Sequence, residues 1–271
     1  MTGALAQVST GPVPQAPARP RALGRSLGAT VAMAVVLAWA AHVIELRPLE
    51  LARDAGNIGV FLQGYMHPSF AHLQEYAWQC VVTICIALWG MVLALFIATP
   101  LGLLGARNLS PHPLVYLAAR RSMDVLRAVN EFVFALMFVT AVGLGPFAGM
   151  LALGIHTGGV LGKLLSETVE AIDPGQVEGV TGVGASRLHV IAFGVAPQIA
   201  PNYLSYILLR FESDIRSASV IGMVGGGGIG FYLWDTIRSF NDREAATVIL
   251  LIVAMVMFVD VISARIRRAA L

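Results

Sequence analysis

The chain has 271 residues, 57% of them hydrophobic and only 13% charged, with a net charge of +2 and a mean hydropathy of +0.75. A soluble domain carries about a quarter charged residues, so an ordinary water-soluble protein is excluded and an all-α integral membrane protein is expected. No Lys/Arg cluster is large enough to hold nucleic acid.

Residues 1–25 lack acidic side chains and are rich in Pro and Ala, which predicts a disordered cytoplasmic tail. A bilayer core of ~30 Å needs roughly 20 apolar residues per helix. The uncharged run 26–44, between Arg25 and Glu45, predicts a first transmembrane helix over 26–45. Residues 46–75 carry Glu50, Asp54, His67, His72 and Glu75 and read as an external loop. A second span lies in the run 76–106, bounded by Glu75 and Arg107. Its two cysteines, Cys80 and Cys85, show no CxxC spacing and read as packing residues, not as a disulfide or a metal site.

The third run, 132–162, is broken by Gly143, Gly145 and Pro146 and is too long for one helix and too short for two. Two helices fit if each borrows from its flank, over 123–142 and 146–165, with Arg127 pairing Glu131 at i,i+4. A fifth span begins near Pro197 and continues past Arg210; a sixth covers 245–264 and contains Asp260, which can pair with Arg265. About six transmembrane helices result. Placing both termini in the cytoplasm puts Arg19, Arg21, Arg25, Arg107, Arg120, Arg121, Arg127, Lys163, Arg187, Arg265, Arg267 and Arg268 inside, as the positive-inside rule asks.

Two phosphate-binding patterns fail on inspection. Gly225-Gly226-Gly227-Gly228-Ile229-Gly230 satisfies GxGxxG, but no soluble βαβ unit surrounds it. It reads instead as flexible, close-approach backbone at a helix end or re-entrant turn, a gate element tolerated where protein or a cavity encloses it. Gly162-Lys163 resembles the tail of a P-loop, yet Thr157 and Leu164 occupy its other obligatory positions. No HExxH and no Ser in a GxSxG turn is present, so the chain is not expected to be an enzyme and no metal site is expected.

Two ionisable features lie within spans. His156 either faces a wet pathway or hydrogen-bonds as a neutral ring across a helix interface where glycines allow close approach. Arg210, Glu212, Asp214 and Arg216 form two i,i+4 pairs, Arg210–Asp214 and Glu212–Arg216, on nearly opposite faces of one helix. Counting ~1.5 Å per residue from Pro197 at the inner interface puts them in the outer half of the membrane. One pair is expected to face a substrate pathway and the other a neighbouring helix or a partner subunit, with a purely structural double salt bridge as the alternative. A proton or ion relay through these residues would make the chain an ion-coupled secondary transporter, a class that often shows two repeated halves.

The segment 167–193 is long for a connector and reads as short helices joined at Asp173-Pro174 and at a Gly182/Gly184 turn, a docking surface for a cytoplasmic partner. Glu178, Gly184 six residues on and Pro197 thirteen beyond that resemble the EAA loop of bacterial ABC-importer permeases. Gly179 and Val180 replace the two alanines of that pattern, and Gly194 and Ala196 its Ile and Leu. Glu167-Thr168-Val169-Glu170-Ala171-Ile172-Asp173-Pro174, Leu209-Arg210-Phe211-Glu212-Ser213-Asp214-Ile215-Arg216, Gly143-Leu144-Gly145-Pro146 and the Gly225–Gly230 run resemble the phosphonate-permease subfamily; Asn130 stands where that subfamily usually has Pro.

The resemblance covers roughly residues 75–268. It implies a type I ABC importer permease fold over 76–268, a MetI-like five-helix core after one leading helix, in the bacterial inner membrane. It implies import of a phosphonate, or of a related oxyanion such as phosphite or a phosphate ester. It further implies Glu178, Gly184, Ala185 and Arg187 as the ATPase-coupling residues, a second permease copy, two cytoplasmic ATPase subunits and an extracytoplasmic binding protein. ATP and Mg would be bound by the ATPase, and no cofactor by this chain.

Overall fold

The computed structural model describes residues 22–270, and most of the expected N-terminal tail lies outside the described residues. The chain divides into two units, Met1–Gly59 and Val60–Leu271. The first contains α1 (Ala22–Val43), α2 (Pro48–Arg53) and the start of α3 (Ala55–Tyr65). Val31, Val35, Leu37 and Trp39 stand exposed on α1, an apolar surface suited to lipid. The segment 46–75 is not the loop that its charges suggest: α2, α3 and the first residues of the next helix occupy much of it. Pro48 sits at the first turn of α2, where its fixed φ starts a helix and its missing N–H costs nothing. Arg47 flanks that turn, 2.9 Å from Glu45 and 3.1 Å from Glu50.

The second unit continues with α4 (Leu73–Leu104), α5 (Pro113–Ala128), α6 (Glu131–Val142), α7 (Pro146–Glu170), α8 (Pro174–Gly182) and the single turn α9 (Arg187–His189). A π-helical turn, Val190–Val195, leads into α10 (Ala196–Ile221), and a second, Gly222–Gly226, leaves it; α11 (Ile229–Arg238) and α12 (Asp242–Ala270) follow. Among the described residues every regular element is a helix. α4, α7 and α12 are each long and apolar enough to cross a membrane. Two further candidate spans are bent pairs, α5 with α6 at 86° and α10 with α11 at 61°. The helix expected over 123–142 is therefore two helices. Asn130 breaks it by accepting the Phe132 N–H on its side chain, an N-cap that starts a new helix where the old one ends.

The bundle is organised on α4 and α7. α4 buries Ala87, Gly90, Ala94, Ala98 and Gly102, and α7 buries Gly154, Gly158 and Gly162 at four-residue spacing. A Cβ at Gly154 would lie 2.6 Å from Leu93 Cδ2, and one at Gly158 3.0 Å from Ile97 Cβ. Lipid tails are as apolar as the side chains, so helices in a bilayer associate through such close backbone packing and not through hydrophobic burial. The small-residue stripe of α7 is thus what lets α4 in.

Contacts across antiparallel helices set the depth of everything else. Gly145 N–H donates to Gly225 O at 2.8 Å, which fixes the start of α7 beside the end of α10. Arg267 lies 2.6 Å from Glu212, and Arg216 3.5 Å from Asp260, so the middle of α10 lies beside the last turns of α12. The first dozen residues of α10 project past the end of α12 by about 20 Å at ~1.5 Å per residue, and pack on the closing turns of α4 and α7 through Val195, Ile199, Ala106, Leu165 and Val169. The charged residues 210–216 therefore sit level with the basic end of α12.

Candidate functional site

Three neighbourhoods gather the charged and strained residues of the second unit. The first is the loop after α7. Asp173 caps α8 by accepting the Gly175 N–H at 2.9 Å, with Pro174 at the first helical position. Gln198 of α10 accepts the Asp173 N–H at 3.0 Å and donates to Gly194 O at 2.7 Å, which ties the loop to the start of α10. Gly184 follows α8 with φ +80°, a left-handed conformation that costs a residue with a Cβ roughly 1–2 kcal/mol. Glu178 and Arg187 are exposed, and among the described residues neither side chain has a partner. Ala185 is half-buried, while Val183, Leu188 and Phe193 stand exposed around the turn.

The second neighbourhood lies between α6, α7 and α10. Asp214 is fully buried; the Thr157 hydroxyl donates to its carboxylate, with Oγ1 3.0 Å from Oδ1 and 2.9 Å from Oδ2. Arg210 Nε–H donates to Thr157 Oγ1 at 3.2 Å and lies 3.1 Å from Asp214 Oδ1. One residue earlier on α7, His156 holds the corner between α5 and α6 from both sides. Its Nδ1–H donates to Val129 O at 2.8 Å, and Nε2 lies 3.4 Å from Glu131 Oε2. Ser217 donates to Glu131 Oε1 at 2.8 Å. Helical spacing suggests an Arg127–Glu131 pair, but the corner separates them, and Arg127 pairs with Asp124 at 3.1 Å.

The third is the face of α10 toward α12. The i,i+4 rule pairs Glu212 with Arg216, yet each reaches across to α12 instead, Glu212 to Arg267 and Arg216 to Asp260. Asp260 accordingly does not pair with Arg265. Arg216 and Asp260 are 51% and 44% exposed on segments of apolar spans, where a charge facing lipid would be costly. Of the residues singled out from the sequence, His156, Arg210 and Asp214 gather around adjacent turns of α7, while Glu212 and Arg216 lie on another face. Ser217 completes these groups without having been singled out, and Thr157, Glu131 and Arg267 enter them with partners the sequence did not suggest. Adjacency to His156 on the small-residue stripe was the one signal for Thr157.

Gly225–Gly228 form a junction far from these charges. Gly225, Gly227 and Gly228 have φ of +95°, +79° and +74°. A Cβ at Gly227 would lie 2.7 Å from Pro146 N, and one at Gly228 would strike Thr83 Oγ1. Thr83 also accepts the Ile229 N–H at 2.9 Å, capping α11. Pro146 and Thr83 thus leave no room for a side chain at Gly227 or Gly228.

The family described as binding-protein-dependent transport system inner membrane component matches residues 98–270. A phosphite transport system permease protein of Stutzerimonas stutzeri is 34% identical over 245 residues, covering 90% of this chain and 89% of that one. A phosphate-import permease protein of Mycolicibacterium smegmatis is 33% identical over 88% of this chain and 44% of its own length. A chain of the MetNI methionine ABC transporter, solved in inward-facing conformations, superposes with a TM-score of 0.66 at 17% identity, over 75% of this chain and 99% of that one. That last likeness is one of fold.

Proposed function

The chain belongs to the family of binding-protein-dependent transport system inner membrane components, and on that premise we propose that it is the permease subunit of an ATP-driven importer of a phosphorus oxyanion. Phosphite, a phosphonate or a phosphate ester is the cargo class. What carries the proposal is the likeness to a phosphite permease over nine-tenths of the chain. Arg210 and Arg216 support it as two cations on α10 that keep part of their surface exposed, while Asp214, Glu212 and His156 hold the surrounding helices. Both termini face the cytoplasm, where the basic end of α12 and the α8 loop also lie.

The chain itself does no chemistry. Two separate ATPase subunits dock on the exposed loop formed by Glu178, Gly184, Ala185 and Arg187, bind ATP and Mg, and drive transport. An extracytoplasmic binding protein delivers the anion. A second copy of the chain completes the permease; the present chain covers less than half of the mycobacterial relative, which leaves room there for a second permease half.

Reconstituted vesicles with the ATPase and binding protein, tested with phosphite, methylphosphonate and phosphate, should import at least one of them only with ATP. Import by the chain alone down an imposed proton gradient would overturn the proposal and favour an ion-coupled transporter.

A further inference from the structure

Asp214 and Thr157 use only one edge of the Arg210 guanidinium. The Nε–H is shared between the Thr157 hydroxyl and the Asp214 carboxylate. No described residue accepts from either terminal nitrogen, and Nη2 is buried without a partner. Buried polar groups in folded proteins almost always have hydrogen-bond partners, so an orphaned guanidinium end needs an explanation. Two features show that the arrangement is fixed. The Thr157 hydroxyl bridges, accepting from Arg210 while donating to Asp214, so neither side chain turns without breaking a bond to the other. Asp214 is fully buried and lies one helical turn from Arg210 on the same helix, so its carboxylate cannot swing out to follow a displaced cation. The guanidinium is left with its terminal N–H groups unpaired, held in orientation by its Nε edge, Nη2 enclosed and the side chain as a whole 20% exposed. A planar fork of this kind matches two oxygens of a tetrahedral phosphorus oxyanion, and a Lys ammonium does not.

We propose that Thr157 and Asp214 are positioning residues that hold Arg210 by its Nε edge and so present its terminal fork to the anion in transit. This rests on the reading of the chain as an oxyanion permease. Asp214 has a second effect: it neutralises Arg210 locally, so the anion meets directional donors without a full uncompensated charge. Such a seat can release what it binds.

The test is import and ATP hydrolysis measured together in vesicles containing permease, ATPase and binding protein, with phosphite as probe and rates normalised to inserted permease. Thr157→Val keeps the shape and removes both bonds of the bridge. Import should fall about tenfold while binding-protein-stimulated ATP hydrolysis stays within twofold of the parent, so ATP consumed per anion rises. Thr157→Ser restores the hydroxyl and should restore the ratio. In an Arg210→Lys background, Thr157→Val should add nothing, because no fork remains to aim. Should Thr157→Val insert poorly, Asp214→Asn poses the same question with different packing and should raise the same ratio. Import and hydrolysis falling in proportion, or Thr157→Val acting equally in the Arg210→Lys background, would overturn the proposal and leave a helix brace. Failure of the parent protein to import any phosphorus oxyanion would instead overturn the assignment of cargo.

Discussion

Gly184 offers the sharpest test of the loop that is proposed to meet the ATPase. A Cβ built there meets nothing within 4 Å, so sterics do not oppose a side chain. The whole penalty of Gly184→Ala comes from φ +80°, about 1–2 kcal/mol for an L-residue in that region. A change of that size shifts an equilibrium roughly 5- to 30-fold, away from the turn that joins α8 to α9. The fold should survive, because no residue of α8 or α9 is buried. Gly182 is the matched control: its Cβ also meets nothing within 4 Å, but it ends α8 without a positive φ. Gly182→Ala should be neutral or slightly favourable, since Ala exceeds Gly in helix propensity by about 1 kcal/mol. ATPase titrated onto permease in nanodiscs should bind Gly184→Ala about tenfold more weakly, Gly182→Ala normally, and Gly184→Asn in between, because Asn tolerates the left-handed region. Equal behaviour of the two alanine variants would refute the reasoning, since only backbone conformation distinguishes them.

Two further outcomes follow from particular bonds. Thr83→Val strips the buried Ile229 N–H of its acceptor and should lower stability in detergent by about 1–3 kcal/mol; a thermal unfolding shift equivalent to less than about 0.5 kcal/mol, the ordinary range for neutral substitutions, would show that the N–H finds another partner. Because Glu212 meets Arg267 and not Arg216, a double-mutant cycle with Gln at 212 and 267 should show coupling of about 0.5–3 kcal/mol, whereas one at 212 and 216 should be additive; the reverse would restore the i,i+4 pairing.

The apolar runs that form α4, α7 and α12 were legible because hydropathy and flanking charge are properties of a segment by itself. Gly145-Pro146 marked the start of α7, and Asp173-Pro174 that of α8, for the same reason: a cap and an N1 proline act on their own helix. The partners of the charges were not legible in this way. The i,i+4 rule finds Arg210–Asp214 correctly because both groups are on one helix and turn toward α7. It fails for Glu212 and Arg216 because the register of α12 against α10 brings Arg267 and Asp260 closer. Depth depends on neighbouring helices for a related reason. Counting from Pro197 supposes that a helix begins at the membrane surface, and α10 starts about 20 Å before it meets the end of α12. The corner at Asn130 did have a local sign, an Asn followed by Glu ahead of an apolar run, but the need for about 20 residues per span carried the expected helix back across it.

The backbone-to-backbone junction of Gly145–Pro146 with Gly225–Gly227 has a mechanical consequence. It pins α7 and α10 together at one end, where no side chain intervenes to slide or repack, while the α8 loop joins them at the other through a wide π turn. A push at the loop end therefore acts on α10 as on a lever about that pin. Taking the pin at Gly225 as the fulcrum, Ala196 lies about 44 Å away along α10 and Asp214 about 17 Å, at ~1.5 Å per residue. A push of 3 Å on the α8 loop would therefore reach the Arg210–Asp214–Thr157 group as roughly 1 Å, enough to strain a hydrogen bond near 3 Å without breaking the helix. Such a lever would gear down a large stroke into a small one at the level where the buried charges meet.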